Sequence, residues 1–205
     1  MHDKDKPSNT KIRYKPIICC ILLLVLLDQA IKCIINTYFL ENHFNIFPGL
    51  LEFRPTFNNR HSYVGSLLYK YHNVAMGFFI HLIIILPAEC IIISFYSFLR
   101  NKFQNTRLLD VAFIFQLSGA ICWLIGNFRT NGELDYIYLK PLFVFDLKDV
   151  YNNCFVVFWL WFCFKNGNQI KSVKVKEFTC YLKNTCLGKF LTKYQVSKNN
   201  KSSEL

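Results

Sequence analysis

Two aspartates, Asp135 and Asp149, flank a short apolar segment between the last two of four long hydrophobic stretches. An ionised side chain within a membrane-spanning helix is costly, so acids at the edges of such stretches are typical of functional sites. Two carboxylates held close together at a membrane surface can share one proton and activate a water molecule. The pair therefore indicates acid–base chemistry, with Asp135 and Asp149 as the candidate catalytic residues.

Each aspartate also has a structural interpretation. Asp149 lies where the fourth hydrophobic helix should begin, and a carboxylate there caps a helix N-terminus. Asp146, three residues earlier, competes for the same capping role. Asp135, taken alone, is a surface acid that follows a turn. Judged by these residues alone, capping is favoured over catalysis for Asp149.

The composition favours a small helical membrane protein. Of the 205 residues, 53% are hydrophobic, with 21 Phe and 11 Tyr, and only 18% are charged. A soluble domain of this size rarely needs so much aromatic surface. Lys and Arg outnumber Asp and Glu by 24 to 13, mainly at the chain ends and in one loop. This distribution is typical of membrane proteins rather than of nucleic-acid-binding proteins.

The nine cysteines indicate neither a zinc site nor a disulfide framework, because no CxxC pair occurs. Most of them lie inside apolar runs, where a cysteine acts as a small apolar side chain. The cysteines therefore indicate no zinc site.

Four hydrophobic stretches predict membrane-spanning helices at about 17–38, 74–99, 108–128 and 149–165. The first has a cleavable signal peptide as its competing interpretation. Its length, the missing cleavage site and the three later spans favour a retained helix. The predicted fold is an all-α membrane protein of four transmembrane helices, with a small extracytoplasmic region that is irregular or contains β structure.

Basic residues predict the orientation of these spans. They cluster before the first span, in the loop at 100–107, and after Phe164, where nine Lys face two Glu. With four spans, all three clusters fall on one side, which the positive-inside rule makes cytoplasmic. Both termini of this multi-pass plasma-membrane protein are then cytoplasmic, and the candidate active site is extracytoplasmic. Residues 1–165 form the membrane domain, and 166–205 form a basic cytoplasmic tail that lies on anionic lipid or is disordered.

Three further polar positions accompany the aspartates. Asp28 and Lys32 lie four residues apart in the first span, so a helix places them on one face, where they can pair. That pair orients the helix, or anchors an active site above it, and the two roles are compatible. Asn58 follows Pro55 and indicates a turn. Asn131-Gly132 also signals a turn, and the alternation after it predicts short strand structure.

Taken in order, these pieces resemble the prolipoprotein signal peptidase family (signal peptidase II). Its LDQxxK pattern is matched by Leu27–Lys32, and Asn58 stands at its NxGxxF/W motif with Tyr63 at the aromatic position. Its GGAxGNxxDR motif corresponds to SGAICWLIGN, its VVDF to ELDY at 133–136, and its FNxAD to Phe145–Asp149. The resemblance covers residues 15–165, and the order and topology of the motifs carry it more than any one of them.

The chain departs from these motifs at several positions. Gly126 stands at the motif Asp and Asn127 at the Arg, while Asp146 replaces Asn and Lys148 replaces Ala; the other departures are Cys122, Trp123, Arg60, His61 and Ser62. The charge of Asp146 should raise the pKa of a neighbouring carboxyl unless Lys148 or Arg129 offsets it.

The resemblance implies a membrane aspartic endopeptidase that removes the signal peptide of lipid-modified prolipoproteins, cutting before the diacylglyceryl-cysteine. Asp135 and Asp149 are then catalytic, and the supporting or substrate-positioning residues are Asp28, Lys32, Asn58 and Asp146. The implied partners are the prolipoprotein signal peptide and membrane lipid, and the chain is expected to be a monomer. The resemblance implies that no metal and no cofactor is needed. The alternatives are a divergent or catalytically impaired relative that binds lipoproteins or signal peptides, and an unrelated four-helix transporter or assembly subunit.

Overall fold

The computed structural model describes residues 14–59, 69–73, 77–130 and 132–185. Its helices are α1 (Lys15–Ile34, continued by a π-helical segment at Ile35–Phe39), α2 (Phe78–Lys102), α3 (Arg107–Thr130), α4 (Leu147–Lys165) and α5 (Gly167–Lys171). Residues 175–185 form a further helix, α6. The strands are β1 (Phe44–Phe47), β2 (Leu51–Asn58), β3 (Glu133–Leu139) and β4 (Phe143–Phe145). The motif positions at 60–63 and the turn residue Asn131 lie outside the described residues.

Three helical segments are long and apolar enough to cross a membrane: Lys15–Phe39, Phe78–Lys102 and Arg107–Arg129. They correspond to the first three predicted spans, although the second begins and ends a few residues later than predicted. α4 has 19 residues, but its first two turns carry Lys148, Asp149, Asn152 and Asn153. These polar residues shorten its apolar part, and the fourth span stays a prediction.

The strands form one antiparallel sheet in the order β1-β2-β3-β4, which confirms the predicted small β-containing region. A tight turn joins β1 to β2, because the N–H of Leu50 donates to the carbonyl of Phe47 at 3.1 Å. Pro48 and Gly49 lie at the centre of this turn, and Gly49 has a φ of 77°. Pro followed by Gly at positive φ is the signature of a type II turn.

The pairing of β2 with β3 joins two segments that are far apart in the chain. Thr56 lies opposite Asp135 and Asn58 opposite Glu133, with an irregularity in the register between Phe53 and Thr56. Along β3, Leu134 and Tyr136 pack with Ile35 in a buried apolar cluster. Side chains alternate between the two faces of a strand, so Glu133 and Asp135 are directed to the other face.

The described residues fall into two compact units. The first comprises the chain up to Asn59 together with Ile114–Asn152, which holds α1, the sheet, most of α3 and the start of α4. The second comprises residues 60–113 and Asn153–Leu205, which holds α2, the first turns of α3, the rest of α4, and α5 and α6.

Aromatic side chains hold the second unit together. The ring of Tyr96 stacks on Phe113 with centroids 3.8 Å apart, and its hydroxyl donates to Asp110 at 2.8 Å. In the tail, the ring of Phe178 on α6 lies 5.2 Å from that of Phe95, and Glu177 pairs with Lys102. The described part of the tail is therefore helical and packed on α2, which contradicts the disordered alternative for these residues.

Candidate active site

The candidate site lies within the first unit, where α1, β2, β3 and the start of α4 meet. It gathers the six candidate catalytic and supporting residues, together with Lys148 from the motif departures and Glu133: Asp28, Lys32, Asn58, Glu133, Asp135, Asp146, Lys148 and Asp149. Asp28 and Asp146 are completely buried, and only 4% of Asp135 is exposed. Ionised groups this deeply buried must be paired or share protons, because burial disfavours the charged form.

α1 contributes the ion pair that its i, i+4 spacing predicted. The Lys32 Nζ lies 3.1 Å from Asp28 Oδ2, and this pairing is confirmed. The same ammonium lies 2.6 Å from Asp146 Oδ2 and 3.9 Å from Glu133 Oε1. Lys32 therefore pairs not only within α1 but also with carboxylates of β3 and of the start of α4.

β2 and β3 position Asp135. The side-chain amide of Asn58 donates to Asp135 Oδ2 at 3.1 Å. This contact follows from the sheet register, since Asn58 lies opposite Glu133 and its side chain reaches the diagonal neighbour two residues along. The structure thus places Asn58 beside one of the two candidate catalytic carboxylates.

The N-terminus of α4 positions Asp149 through a reciprocal capping arrangement. Asp146 Oδ1 accepts from the N–H of Asp149 at 3.1 Å, while Asp149 Oδ2 accepts from the N–H of Asp146 at 3.2 Å. This is the geometry of a capping box, in which Asp146 is the cap and Asp149 the third helical residue. The expectation that Asp149 itself is the cap is corrected, because Asp146 precedes the first helical residue and takes that role.

Lys148 joins the two candidate catalytic residues. Its Nζ lies 3.2 Å from Asp149 Oδ1 and 3.9 Å from Asp135 Oδ1. It also lies 2.8 Å from Glu133 Oε2 and 3.1 Å from Asp146 Oδ1. The structure therefore brings Asp135 and Asp149 to one ammonium group, and their catalytic role stays a prediction.

Three of these carboxylates are spaced as metal ligands are. One oxygen each from Glu133, Asp135 and Asp146 lies within 4.8 Å of the others. The Lys148 ammonium, however, lies within 4 Å of all three groups. Lys148 already supplies positive charge at the point where a cation would bind, so the electrostatics of the cluster do not call for a metal.

The comparisons with known proteins concern the family and the fold of the chain. The family model for signal peptidase (SPase) II matches residues 20–165, which is more than half of the chain. The chain belongs to the signal peptidase II family. This membership supports a protease activity and a membrane location, and it removes the alternative of an unrelated four-helix subunit.

Two solved structures share the fold of this signal peptidase II homologue, and both are described as bacterial membrane enzymes. The first is 20% identical with a TM-score of 0.58, and the match covers 78% of this chain and 94% of that one. The second is also 20% identical, with a TM-score of 0.55 and coverages of 71% and 90%. No curated protein sequence matches the chain. At this identity the likeness supports the fold alone.

Glu133 is the site residue that the sequence reasoning missed. It lies two residues before Asp135 in β3 and therefore on the same face of the strand, which was the available signal. The space for its side chain comes from Gly126, where a Cβ would meet Glu133 Oε1 at 2.8 Å. In this chain a glycine stands at the motif Asp, and the carboxyl group of Glu133 lies against it.

The cluster holds more carboxyl groups than ammonium groups, so some of its carboxyl groups have raised pKa values. Burial raises the pKa of Asp135 to about 7, and the Lys148 charge offsets this only in part. Burial likewise raises the pKa of Glu133 to about 8 against the opposing charges of Lys148 and Lys32. Burial alone would also raise the pKa of Asp146, but Lys148 and Lys32 hold it below its ordinary value. The charge of Asp146 raises the pKa of Asp135, as expected, and Lys148 offsets this rise only in part, whereas Arg129 is exposed.

An apolar groove of about 260 Å³ also lies in the first unit. It is formed by the end of α1 and the neighbouring strands, and its lining is Ile31, Ile34, Ile35, Phe39, Phe44 and Phe53. A lining without polar groups suits a hydrocarbon chain or an apolar peptide side chain.

Proposed function

We propose that this signal peptidase II homologue is an aspartic endopeptidase that removes the signal peptide from lipid-modified prolipoproteins, cutting before the diacylglyceryl-cysteine. The observation that carries the proposal is the approach of Asp135 and Asp149 to one ammonium group. Their two elements, β3 and the start of α4, are held in place independently, by Asn58 and by the capping box.

The pair performs acid–base hydrolysis of a peptide bond. One carboxylate takes a proton from water, and the water oxygen bonds to the scissile carbonyl carbon. The other carboxyl, protonated, donates to the carbonyl oxygen; the C–N bond then breaks, and a proton passes to the leaving amine. The raised pKa of Asp135, about 7, supports a shared proton near neutral pH. The titration belongs to the pair and not to either residue alone.

The exposure of the two carboxyls differs in a way that suits this chemistry. The side chain of Asp149 is 36% exposed, whereas that of Asp135 is 5% exposed. Asp149 is therefore open to water and substrate, and Asp135 is enclosed. The apolar groove beside α1 suits an acyl chain or the apolar part of a signal peptide. We place this site on the extracytoplasmic side of a monomer with both termini in the cytoplasm, in line with the positive-inside rule.

A catalytically impaired relative that binds lipoproteins or signal peptides is the second candidate. The observation that favours it is the positive charge of Lys148, which stands where the family motif has Ala. A cation at that point stabilises both carboxylates in their ionised forms and so opposes the sharing of a proton.

A cleavage assay separates the two candidates. The purified protein in lipid vesicles is given a precursor that carries a diacylglyceryl-cysteine, and the products are identified by mass spectrometry. We expect cleavage before that cysteine, and a fall of about 10²–10⁴-fold in Asp135→Asn and in Asp149→Asn. The matched control is Glu52→Gln, another carboxylate-to-amide change in the sheet, where Glu52 pairs with Lys140 at 2.7 Å.

The outcomes of this assay are distinct. Retained binding of the precursor without cleavage by the wild type supports the impaired relative. Full activity in either aspartate variant contradicts the assignment of the catalytic pair.

A further inference from the structure

We propose that Lys148 is a positioning residue whose ammonium group holds the Asp135 and Asp149 carboxyls at the distance that their shared chemistry needs. This inference rests on the proposed function and names a part of the site that the family motif does not supply, since Ala is the motif residue at this position. Lys148 is only 6% exposed. A buried ammonium keeps its charge only where several acceptors surround it.

Glu133 anchors the ammonium group of Lys148. The Lys148–Glu133 contact, at 2.8 Å, is the shortest of the four that Lys148 makes with carboxyl groups. Asp146 supplies a second short contact at 3.1 Å. Because β3 and the cap of α4 each contribute one of these contacts, the ammonium is fixed between the elements that carry the two aspartates.

Gly126 is the third part of this arrangement. Any larger residue there would place its Cβ 2.8 Å from the carboxyl oxygen of Glu133. The glycine in α3 therefore admits Glu133, Glu133 anchors Lys148, and Lys148 contacts both aspartates. Glu133 and the two motif departures Gly126 and Lys148 thus act as one unit.

Among the described residues, the charged groups around Lys148 come from β3 and the start of α4. β3 contributes Glu133 and Asp135, and the start of α4 contributes Asp146 and Asp149. Lys32 and Asp28 of α1 join this cluster through the contact of Lys32 with Asp146. Loss of the Lys148 charge leaves Lys32 as the single ammonium among five carboxyls. The pKa of Asp135, which the Lys148 charge lowers, should then rise.

The test follows the titration of Asp135 by infrared spectroscopy, which detects protonated carboxyl groups whether or not the protein cleaves a substrate. The Asp135 band is assigned as the one lost in Asp135→Asn. We expect its midpoint to move up by about one pH unit or more in Lys148→Gln, and to stay near the wild-type value in Lys148→Arg. A residue that acts by packing alone would not separate these two variants, so equal midpoints in the wild type and Lys148→Gln would overturn the proposal.

A double variant and a parallel cleavage assay complete the test. If Lys148→Gln does not fold, the double variant Glu133→Gln/Lys148→Gln takes its place in the same measurement, because it removes both partners of the 2.8 Å contact. Glu133→Gln is then the reference. Cleavage of the lipid-modified precursor, measured in parallel, should shift to higher pH in Lys148→Gln. A wild type that cleaves nothing contradicts the proposed function, and the infrared midpoints still decide the role of Lys148.

A second inference concerns the second unit and is independent of the peptidase site. We infer that a pocket at the start of α3 and the end of α4 binds the phosphate group of an anionic phospholipid. The pocket has a volume of about 230 Å³, and its lining is Asn105, Arg107, Leu108, Trp161, Lys165 and Asn166. Among the described residues, neither Arg107 nor Lys165 forms an ion pair with a carboxylate.

The lining matches each part of such a lipid. Two cations and two amides suit a phosphate, and basic pockets between membrane helices are known to hold anionic head groups. Trp161 and Leu108 offer apolar surface for the start of an acyl chain, and Trp is enriched at membrane interfaces. Arg107 and Lys165 belong to the basic clusters that the positive-inside rule assigns to the cytoplasm. Anionic lipid is abundant on that side of the membrane.

Thermal unfolding of the protein in detergent tests this pocket. We expect phosphatidylglycerol to raise the melting temperature of the wild type, and phosphatidylcholine and inorganic phosphate to have no such effect. The rise should disappear in Arg107→Gln/Lys165→Gln and persist in the control Lys171→Gln/Lys174→Gln, which removes two exposed charges outside the pocket. Equal loss in both double variants indicates diffuse attraction and overturns the proposal, as does an equal response to inorganic phosphate or no response to phosphatidylglycerol.

Discussion

Gly126 has no Cβ, and this leaves room for the carboxyl group of Glu133 in the candidate site. An alanine in a helix interior is ordinarily favoured over glycine by up to about 1 kcal/mol. At Gly126 its Cβ would lie 2.8 Å from Glu133 Oε1, and overpacking costs about 1–3 kcal/mol. We expect Gly126→Ala to lower the melting temperature and Glu133→Ala to relieve part of that loss in the double variant. Gly167→Ala is the control, because nothing lies within 4 Å of that Cβ; an additive double variant would contradict this coupling.

Glu133 also makes stability depend on pH in a defined direction. Its pKa is raised from 4.5 to about 8, so the folded protein holds a proton that the unfolded chain releases. The stabilisation is therefore complete below about pH 4.5 and is lost as the pH rises through about 8. We expect the melting temperature to fall between these limits, and the fall to be smaller in Glu133→Gln. An equally steep fall in that variant would contradict the assignment.

At the level of elements, the pairing of β2 with β3 is what delivers Asn58 to Asp135. Asn58→Ala removes the hydrogen bond at 3.1 Å to a carboxyl that must hold its position during hydrolysis. Hydrogen bonds to charged groups contribute about 1.5–3 kcal/mol, so we expect kcat/KM to fall at least about tenfold. Asn45→Ala, an exposed position in β1 that accepts from Lys140, is the control and should keep its activity. Unchanged kcat/KM in Asn58→Ala would show that the hydrogen bond does not matter for the reaction.

The elements differ in how far the sequence predicts them. Unbroken apolar runs predict α1, α2 and α3 because a helix satisfies its own backbone hydrogen bonds within a single segment. The sequence predicts a carboxylate cap at the start of α4 from Asp146 and Asp149, although Asp146 and not Asp149 is the N-cap residue. The register of β2 on β3 was not readable, since it pairs Thr56 with Asp135 from distant parts of the chain. Glu133 was missed for the same reason, because only that pairing and the packing on α3 reveal its neighbours.

At the level of the whole molecule, the chain keeps the order of the family motifs, but the charged residues at the centre of its site differ from those motifs. The family model spans residues 20–165, and the order of motifs along the chain predicted that match. The motifs could not predict which charged residues the site contains. Gly126 and Asn127 replace the Asp and Arg of the motif, whereas Glu133 and Lys148 form an acid–base pair elsewhere in the site. A network of this kind depends on three-dimensional neighbours, so no single position signals it.

Orientation in the membrane is the last property that belongs to the whole chain. The basic clusters predict that the tail is cytoplasmic and the sheet extracytoplasmic. Cys180 on α6 is an exposed native thiol that can report the side of the tail. In Asn45→Cys, made in a chain with Cys180→Ser and Cys186→Ser, the new thiol reports the side of the sheet. We expect a membrane-impermeant thiol reagent to label Asn45→Cys in intact cells, and Cys180 of the wild type only after the membrane is opened. If only the three candidate spans crossed the membrane and α4 did not, the thiols at positions 45 and 180 would lie on the same side. Labelling of both thiols in intact cells would therefore contradict the fourth span and the predicted orientation together.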